Sequence, residues 1–301
     1  MKVGLQIIRF DWSNNAHNIR ERLTDIAKLA DDAGFYSLWV MDHFFQMGGE
    51  FGPADAPMLE GYSTINYLAA ITQRVRLGTL VTGNAYRYPG MLIKMVSTLD
   101  VLSGGRAYLG IGAGWYQREA RGLGLPLPNI KERFARLEET LQIAKHMWSG
   151  QRTPYLGQYY QLQEPINCPQ PLQHPHPPIL IGGEGEKKTL RLVAQYGDAC
   201  NLYAGGGPDE YTEGIESIRS KLAVLQRHCD SIGRPYNEIE RTVLAGTHLS
   251  QDPRAISDTI QLCQSLAELG VQHVIFNMLT YDLKLLETFI KEILPKVEKF
   301  T

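Results

Sequence analysis

Cysteine is scarce in this chain of 301 residues: the four present, Cys168, Cys200, Cys229 and Cys263, stand far apart with no CxxC pair. Such spacing gives neither a disulfide framework nor a thiolate zinc site. Charge of one sign is also missing, since 30 basic residues face 32 acidic ones for a formal net charge of -2. Without a basic excess, neither nucleic acid nor an anionic membrane is expected as a partner. No apolar run approaches the roughly 18 residues that would cross a membrane. The opening residues, MKVGLQIIRFDW, meet Asp11 too soon for a secretory signal, so a reducing cytoplasm is the expected compartment. Catalytic signatures are absent as well. There is no G-x-S-x-G nucleophile elbow. None of the eight histidines has a second one four residues on with an acid between, and His174 and His176 sit among prolines, so no metal is expected. A site with neither nucleophile nor metal of its own suggests an organic cofactor that carries the chemistry.

What the chain does have is alternation. Hydrophobic residues make up 44% and charged residues 21%, with 29 Gly and 16 Pro, an ordinary globular mixture. Eight short apolar runs read as strands: VGLQII (Val3 to Ile8), SLWVM (from Ser37), VRLGTLVT (Val75 to Thr82), AYLGIGAG (Ala107 to Gly114), PPILIGG (Pro177 to Gly183), ACNLYA, IERTVLAGTHL (Ile239 to Leu249) and HVIFNM. Helical spacing separates them, over 18–33, from a Ser63 cap to Gln73, after Pro89, and over 131–148, 186–196, 209–232, 253–269 and 283–300. Eight strand–helix pairs running in one direction predict an α/β fold closed as a (β/α)8 TIM barrel in preference to an open doubly wound sheet. Two connections exceed the usual length of about 2–6 residues, 45–62 after the second strand and 150–176 before the fifth. Both read as insertions in a single domain spanning 1–301.

In a barrel, functional groups gather at the C-terminal ends of strands. The second strand ends SLWVMDHFF, which brings Asp42 and His43 together there. That pair reads equally as chemistry or as a helix cap beside a satisfied loop histidine. The fourth ends GIGAGWYQRE, in which Gly112 and Gly114 allow close backbone approach or relieve crowding. The fifth ends IGGEGEKKT, where small and acidic residues precede Lys187 and Lys188 at a helix start. Free N–H groups in such a place suit a phosphate, and two early lysines oppose the helix dipole unless an anion is near. Met41, Phe44, Met47, Phe51 and Met58 make the first insertion apolar, either as a substrate wall or as loop packing.

Three stretches carry a family resemblance over essentially the whole chain: AGFYSLWVMDHF, RVRLGTLVTGNAYRYPGMLIKMVSTLDVLSGGRAYLGIGAGW, and PPILIGGEGEKKTLRLVAQYGDACNLY. They resemble the bacterial luciferase-like superfamily, comprising luciferase-like monooxygenases and F420-dependent oxidoreductases, and within it the F420-dependent members. The resemblance implies a TIM barrel with a flavin or deazaflavin across its C-terminal mouth, and a homodimer. It implies that His43 gives or takes a proton beside the reactive ring, while Asp42 orients His43 or touches the ring. Leu80–Val81 matches the place of a non-proline cis peptide behind the ring. Cofactor contacts are implied at Leu80, Val81, Thr82, Gly112, Ala113 and Gly114, and on the phosphate side at Gly182, Gly183, Glu184, Gly185 and Lys188. The implied activity is hydride transfer between coenzyme F420 and a small organic substrate. The alternative is a two-component monooxygenase using reduced FMN from a separate flavin reductase, and a third reading is a flavin-binding protein without turnover. Two departures bear on the substrate. Trp115 stands where the sugar-phosphate dehydrogenases of this superfamily place a catalytic Glu, and Phe44, Phe45 and Met47 stand where they carry a Trp. Ala113 falls where luciferase has an arginine, which weakens luciferase-style FMN phosphate binding.

Overall fold

The computed structural model describes every residue except 13–16, 248–249, 279 and 301. Among the described residues eight strands form a parallel barrel: β1 (Lys2–Ile7), β2 (Ser37–Val40), β3 (Arg76–Thr79), β4 (Leu109–Gly112), β5 (Ile179–Gly182), β6 (Ala199–Tyr203), β7 (Glu240–Thr247) and β8 (His273–Met278). The order around the sheet is β3-β2-β1-β8-β7-β6-β5-β4, with register pairs such as Leu5↔Leu38, Val3↔Val274 and Leu109↔Ile179. The seam closes where Leu77 N–H donates to the Arg106 carbonyl and Tyr108 N–H to the Leu77 carbonyl, both at 2.8 Å. The expected (β/α)8 barrel is therefore the observed fold. Its seventh strand was expected to reach Leu249; β7 ends at Thr247, and His248 and Leu249 lie outside the described residues.

The third strand departs from its expected span of 75–82. β3 stops at Thr79, and Thr82–Gly83 resume pairing, now with Ile111 and Gly112 of β4. Leu80 and Val81 stand between the two pieces, joined by the cis peptide that the resemblance implied. Inside the barrel the fully buried Trp39 packs with Leu80, Tyr108, Leu180, Ala199 and Ile275. Its indole N–H donates to Ser37 Oγ at 2.7 Å, and Ser37 Oγ lies 2.9 Å from His273 Nε2. Two glycines make room for the indole and the strand seam. A Cβ at Gly78 would lie 2.7 Å from the Trp39 ring, and one at Gly110 would lie 2.0 Å from the Thr79 carbonyl oxygen.

The helices follow the strands: α1 (His17–Ala33), α2 (Gly61–Ile71), α3 (Pro89–Ser103), α4 (Gln117–Gly122), α5 (Ile130–Trp148), α6 (Thr189–Tyr196), α7 (Tyr211–Ile232), α8 (Pro253–Glu268), α9 (Leu283–Glu292) and α10 (Leu294–Val297). Several boundaries differ from expectation. α2 is capped by Glu60 and not by Ser63, because the Glu60 carboxylate accepts from Tyr62 N (3.1 Å) and Ser63 N (2.6 Å). The last helix, expected as one piece over 283–300, breaks after Glu292; Pro295 has no N–H to continue the ladder and its ring crowds the preceding turn. The insertion over 45–62 is tied across the mouth, with Gln46 Nε2 donating to the Ile8 carbonyl (3.0 Å) and Tyr116 O–H to the Gln46 carbonyl (2.9 Å). The insertion over 150–176 forms a hairpin of Tyr155–Leu156 with Gln161–Leu162. Glu139 of α5 holds its turn by accepting from Gln158 N (2.8 Å), Tyr159 N (3.0 Å) and Tyr160 N (3.0 Å).

The glycine geometry gives a stability prediction. Gly110→Ala forces a methyl group onto a backbone carbonyl and is expected to cost at least the ~1–3 kcal/mol of an overpacked core. Gly90→Ala on α3 meets only the flexible Leu162 side chain, 3.2 Å away, and is expected to be neutral or mildly stabilising. Urea unfolding of the two variants checks this, and equal midpoints would refute the steric account.

Candidate active site

The C-terminal ends of the strands open into a cavity of about 460 Å³. Asp42, His43, Leu80, Val81, Thr82, Gly112, Ala113, Gly114, Gly182 and Gly183 all line it. Ten of the thirteen expected site residues thus share one space. Glu184, Gly185 and Lys188 are outside its lining. The Glu184 carboxylate turns away to accept from Tyr203 N (3.2 Å) and to pair with Lys221 (3.2 Å). Lys188 Nζ lies 5.2 Å from the ring centre of Phe134, itself a wall of the cavity. α6 begins at Thr189, three residues later than expected, after a turn. Among the described residues no backbone carbonyl accepts from the N–H groups of Gly185, Glu186, Lys187 or Lys188.

Asp42 and His43 are neighbours in sequence but belong to different networks. Asp42 sits at the end of β2, almost wholly buried, and receives the Arg87 guanidinium as a two-pronged fork: Nη1 to Oδ2 at 2.6 Å and Nη2 to Oδ1 at 2.8 Å. Gly83 N–H adds a third bond to Oδ2 at 3.0 Å. Arg87 also pairs with Glu60 (2.5 Å) and lies 4.7 Å from the centre of the Tyr62 ring. Burial pushes the Asp42 carboxyl up, while the Arg87 fork and the Gly83 amide pull it back. Burial alone would lower the Arg87 guanidinium, yet its bonds to Asp42 and Glu60 hold it above its ordinary value. The carboxylate is therefore committed to Arg87 and does not orient His43, contrary to one role expected from the sequence.

His43 has a partner that the sequence did not single out. Its Nδ1 lies 3.1 Å from Oε1 of Glu119, a fully buried carboxylate on the short helix α4. Glu119 also accepts from Tyr86 O–H (2.6 Å), Phe45 N (2.9 Å) and Phe44 N. Burial would raise this carboxyl, but His43, Tyr86 and the two amides together hold it below the usual carboxylate range. With Nδ1 engaged, His43 keeps Nε2 for whatever occupies the cavity. The imidazole stands edge-on to Trp115 and Tyr116, with ring centres 5.7 and 5.6 Å away.

The cavity floor explains the strand-end glycines. A Cβ at Gly112 would lie 2.9 Å from Val81 Cγ2, and one at Gly182 would lie 2.7 Å from Val81 Cγ1. Both glycines make a slot for the Val81 side chain, and they leave the rim open above it. Three amide side chains of the lining were missed: Gln6, Asn201 and Asn277. Each is the inward polar position of an otherwise apolar strand, as LQI, CNL and FNM display, and that was the available signal. Gln6 Nε2 donates to the Leu80 carbonyl at 2.9 Å, and Asn201 Nδ2 to Thr242 Oγ1 at 2.8 Å. Among the described residues no three His, Cys, Asp or Glu side chains converge as a metal site, and no helix is long and apolar enough to cross a membrane.

Comparison with known proteins places this geometry in context. The family model described as luciferase-like monooxygenase matches residues 3–281. An F420-dependent glucose-6-phosphate dehydrogenase of Kineococcus radiotolerans is 32% identical over 240 residues, 79% of this chain and 67% of that protein. The enzyme of the same name from Microbacterium testaceum is 35% identical over 237 residues, 77% of this chain and 66% of its own length. Among solved structures, the F420-dependent tetrahydromethanopterin reductase of Methanopyrus kandleri superimposes with a TM-score of 0.77 at 16% identity, covering 100% of this chain and 99% of that one. Monooxygenase RslO1 from Streptomyces bottropensis gives 0.78 at 18% identity, covering 98% and 99%.

The buried fork makes its own prediction. Arg87→Met leaves Asp42 buried without its cation, and is expected to cost ~3–5 kcal/mol. Asp42→Asn in the same chain removes the stranded charge and is expected to recover much of that loss. Denaturant midpoints of wild type and the single and double variants read this directly; an unchanged midpoint for Arg87→Met would show that the pair carries no structural burden.

Proposed function

The chain belongs to the luciferase-like monooxygenase family, and from that membership we propose that it is an F420-dependent oxidoreductase moving a hydride to or from a small organic molecule. The observation that carries the proposal is His43, held by the buried Glu119 at the wall of an apolar cavity over the Val81 floor. The named relatives support the choice of F420. The cavity fits a flat ring, since its floor is side-chain-free backbone at Gly112 and Gly182 on either side of Val81. Leu80, Val81, Thr82, Gly112, Ala113 and Gly114 would hold the ring. Gly182 and Gly183 would border it, and the unbonded N–H groups of Gly185 to Lys188 would take the phosphate-bearing chain, with Lys188 beside them and Glu184 outside the contact. A bound deazaflavin supplies or accepts the hydride.

This chain's own residues manage the proton. His43 Nε2 takes it from, or gives it to, the substrate oxygen, and an imidazole suits that exchange near neutral pH. Glu119 fixes the Nδ1–H tautomer and supports the imidazolium when it forms. Asp42 has a different part: through Arg87 and Gly83 it fixes the end of β2, and so the position of the His43 backbone. The apolar walls keep water from the reacting atoms.

A second reading is a two-component monooxygenase working on reduced FMN from a separate flavin reductase, which the fold likeness to monooxygenases supports. The same proposal takes the chain as one domain with insertions at 45–62 and 150–176. It also makes it a homodimer, for which Met91 and Leu102 stay exposed three turns apart on α3. A cytoplasmic setting suits the three buried free thiols of Cys200, Cys229 and Cys263.

Parallel titration with F420 and FMN tests the cofactor. F420 fluorescence is expected to quench at lower concentration than FMN fluorescence, and Gly185→Pro is expected to weaken binding by removing one N–H. Tighter FMN binding with oxygen uptake would transfer the assignment to the monooxygenase. For the proton, His43→Ala is expected to slow turnover about 10²–10⁴-fold with cofactor affinity retained. Glu119→Gln, which keeps an acceptor but loses the charge, is expected to lower kcat less and to alter the pH profile. Wild-type turnover and pH profile in both variants would remove the pair from the chemistry.

A further inference from the structure

Resting on that reading, the geometry points to the substrate class: a neutral, planar aromatic molecule with one hydroxyl or carbonyl oxygen, laid against Trp115 with its oxygen toward His43, and neither a sugar phosphate nor a carboxylate. Trp115 is 59% exposed although it lines the cavity, directly after Gly114. Its ring lies 5.7 Å from that of His43, with which it shares the cavity lining, and 5.0 Å from that of the buried Tyr116, which backs the pair from outside the cavity. An indole face left open beside a pocket is a stacking surface for a flat partner. Ile130 is exposed as well, at 52%, and with Phe134 and Leu137 it continues the wall in apolar side chains. Met47 and Phe51 of the first insertion line the same space. A cavity of about 460 Å³ that also receives a cofactor ring leaves room for only one or two rings of substrate.

Charge around His43 points the same way. Glu119 stands immediately behind it on Nδ1, while the carboxylates of Asp42 and Glu60 are paired with Arg87. Arg87 is closed by Asp42 and Glu60, and Lys188 lies over Phe134, whereas Arg133 gives Nη1 to the Gly114 carbonyl and keeps its Nε buried without a partner among the described residues. An anionic group carried to His43 would face the Glu119 carboxylate directly behind the imidazole, whereas a neutral oxygen meets one imidazole nitrogen. The curated relatives are named for a sugar phosphate; this wall offers an indole and aliphatic side chains in its place.

The test compares molecules of similar shape and different charge. Acetophenone, benzoate and glucose 6-phosphate are titrated calorimetrically into the full chain, with and without F420. The F420 titration by itself reads the proposed function, and the preference among the three molecules reads the substrate class. Acetophenone is expected to bind at least tenfold more tightly than benzoate or glucose 6-phosphate. Trp115→Ala is expected to weaken acetophenone at least tenfold while F420 affinity stays the same, and Trp115→Phe is expected to retain most of the binding. Trp115 is exposed, so both variants are expected to keep the wild-type circular dichroism spectrum and melting temperature. Binding of benzoate or glucose 6-phosphate as tight as that of acetophenone, no acetophenone binding in either form, or acetophenone affinity unchanged in Trp115→Ala would each overturn the proposal.

Discussion

The fork between Arg87 and Asp42 is the contact on which the rest of the site depends. It joins the end of β2 to the segment that follows the Leu80–Val81 interruption, and Glu60 extends it to the start of α2. Gly83 N–H, bonded to the same carboxylate, fixes where the chain re-enters the sheet beside β4. Thr82 is held in the same corner by Tyr62 O–H at 2.9 Å and Thr79 Oγ1 at 2.6 Å. A buried ion pair contributes little net stability over a hydrophobic pair of equal volume, so its value here is positional. It sets the residue before His43, and with it the His43 backbone, in place, while Glu119 orients the imidazole.

Adjacent residues thus do unrelated work. The peptide between Asp42 and His43 divides a structural network, closed on Arg87, from a second one, closed on Glu119. Each carboxylate is matched to its donor set: a guanidinium and one amide for Asp42, and an imidazole with a phenol and two amides for Glu119.

Much of the fold was legible because hydrophobic period and strand–helix alternation are local properties. The ends of the strands located Asp42, His43 and the glycines, and the resemblance located Leu80–Val81. What was not legible depended on contacts across long sequence separations. Glu119 is 76 residues from His43, and nothing in GWYQRE distinguishes it from the surface acids of other helices. Arg87, 45 residues from Asp42, was visible only as a charge among tyrosines. The cap at Glu60 was missed because Ser63 is the commoner capping residue, and the break near Pro295 was overlooked within an otherwise strong helical pattern. Gly112 was read as allowing close backbone approach or relieving crowding, and it is the crowding of Val81 that it relieves, as Gly182 does from the other side.

That last point has an evolutionary consequence. Val81 is gripped from two sides by residues on different strands, Gly112 of β4 and Gly182 of β5. A side chain acquired at either glycine would collide with a branched residue at 81, and a bulkier residue at 81 would collide with both. Single substitutions that add bulk at any of the three positions therefore carry an overpacking cost of ~1–3 kcal/mol unless residue 81 first becomes smaller. The three sites should be inherited as one unit, covarying across lineages although they are separated by 31 and 70 positions in the chain.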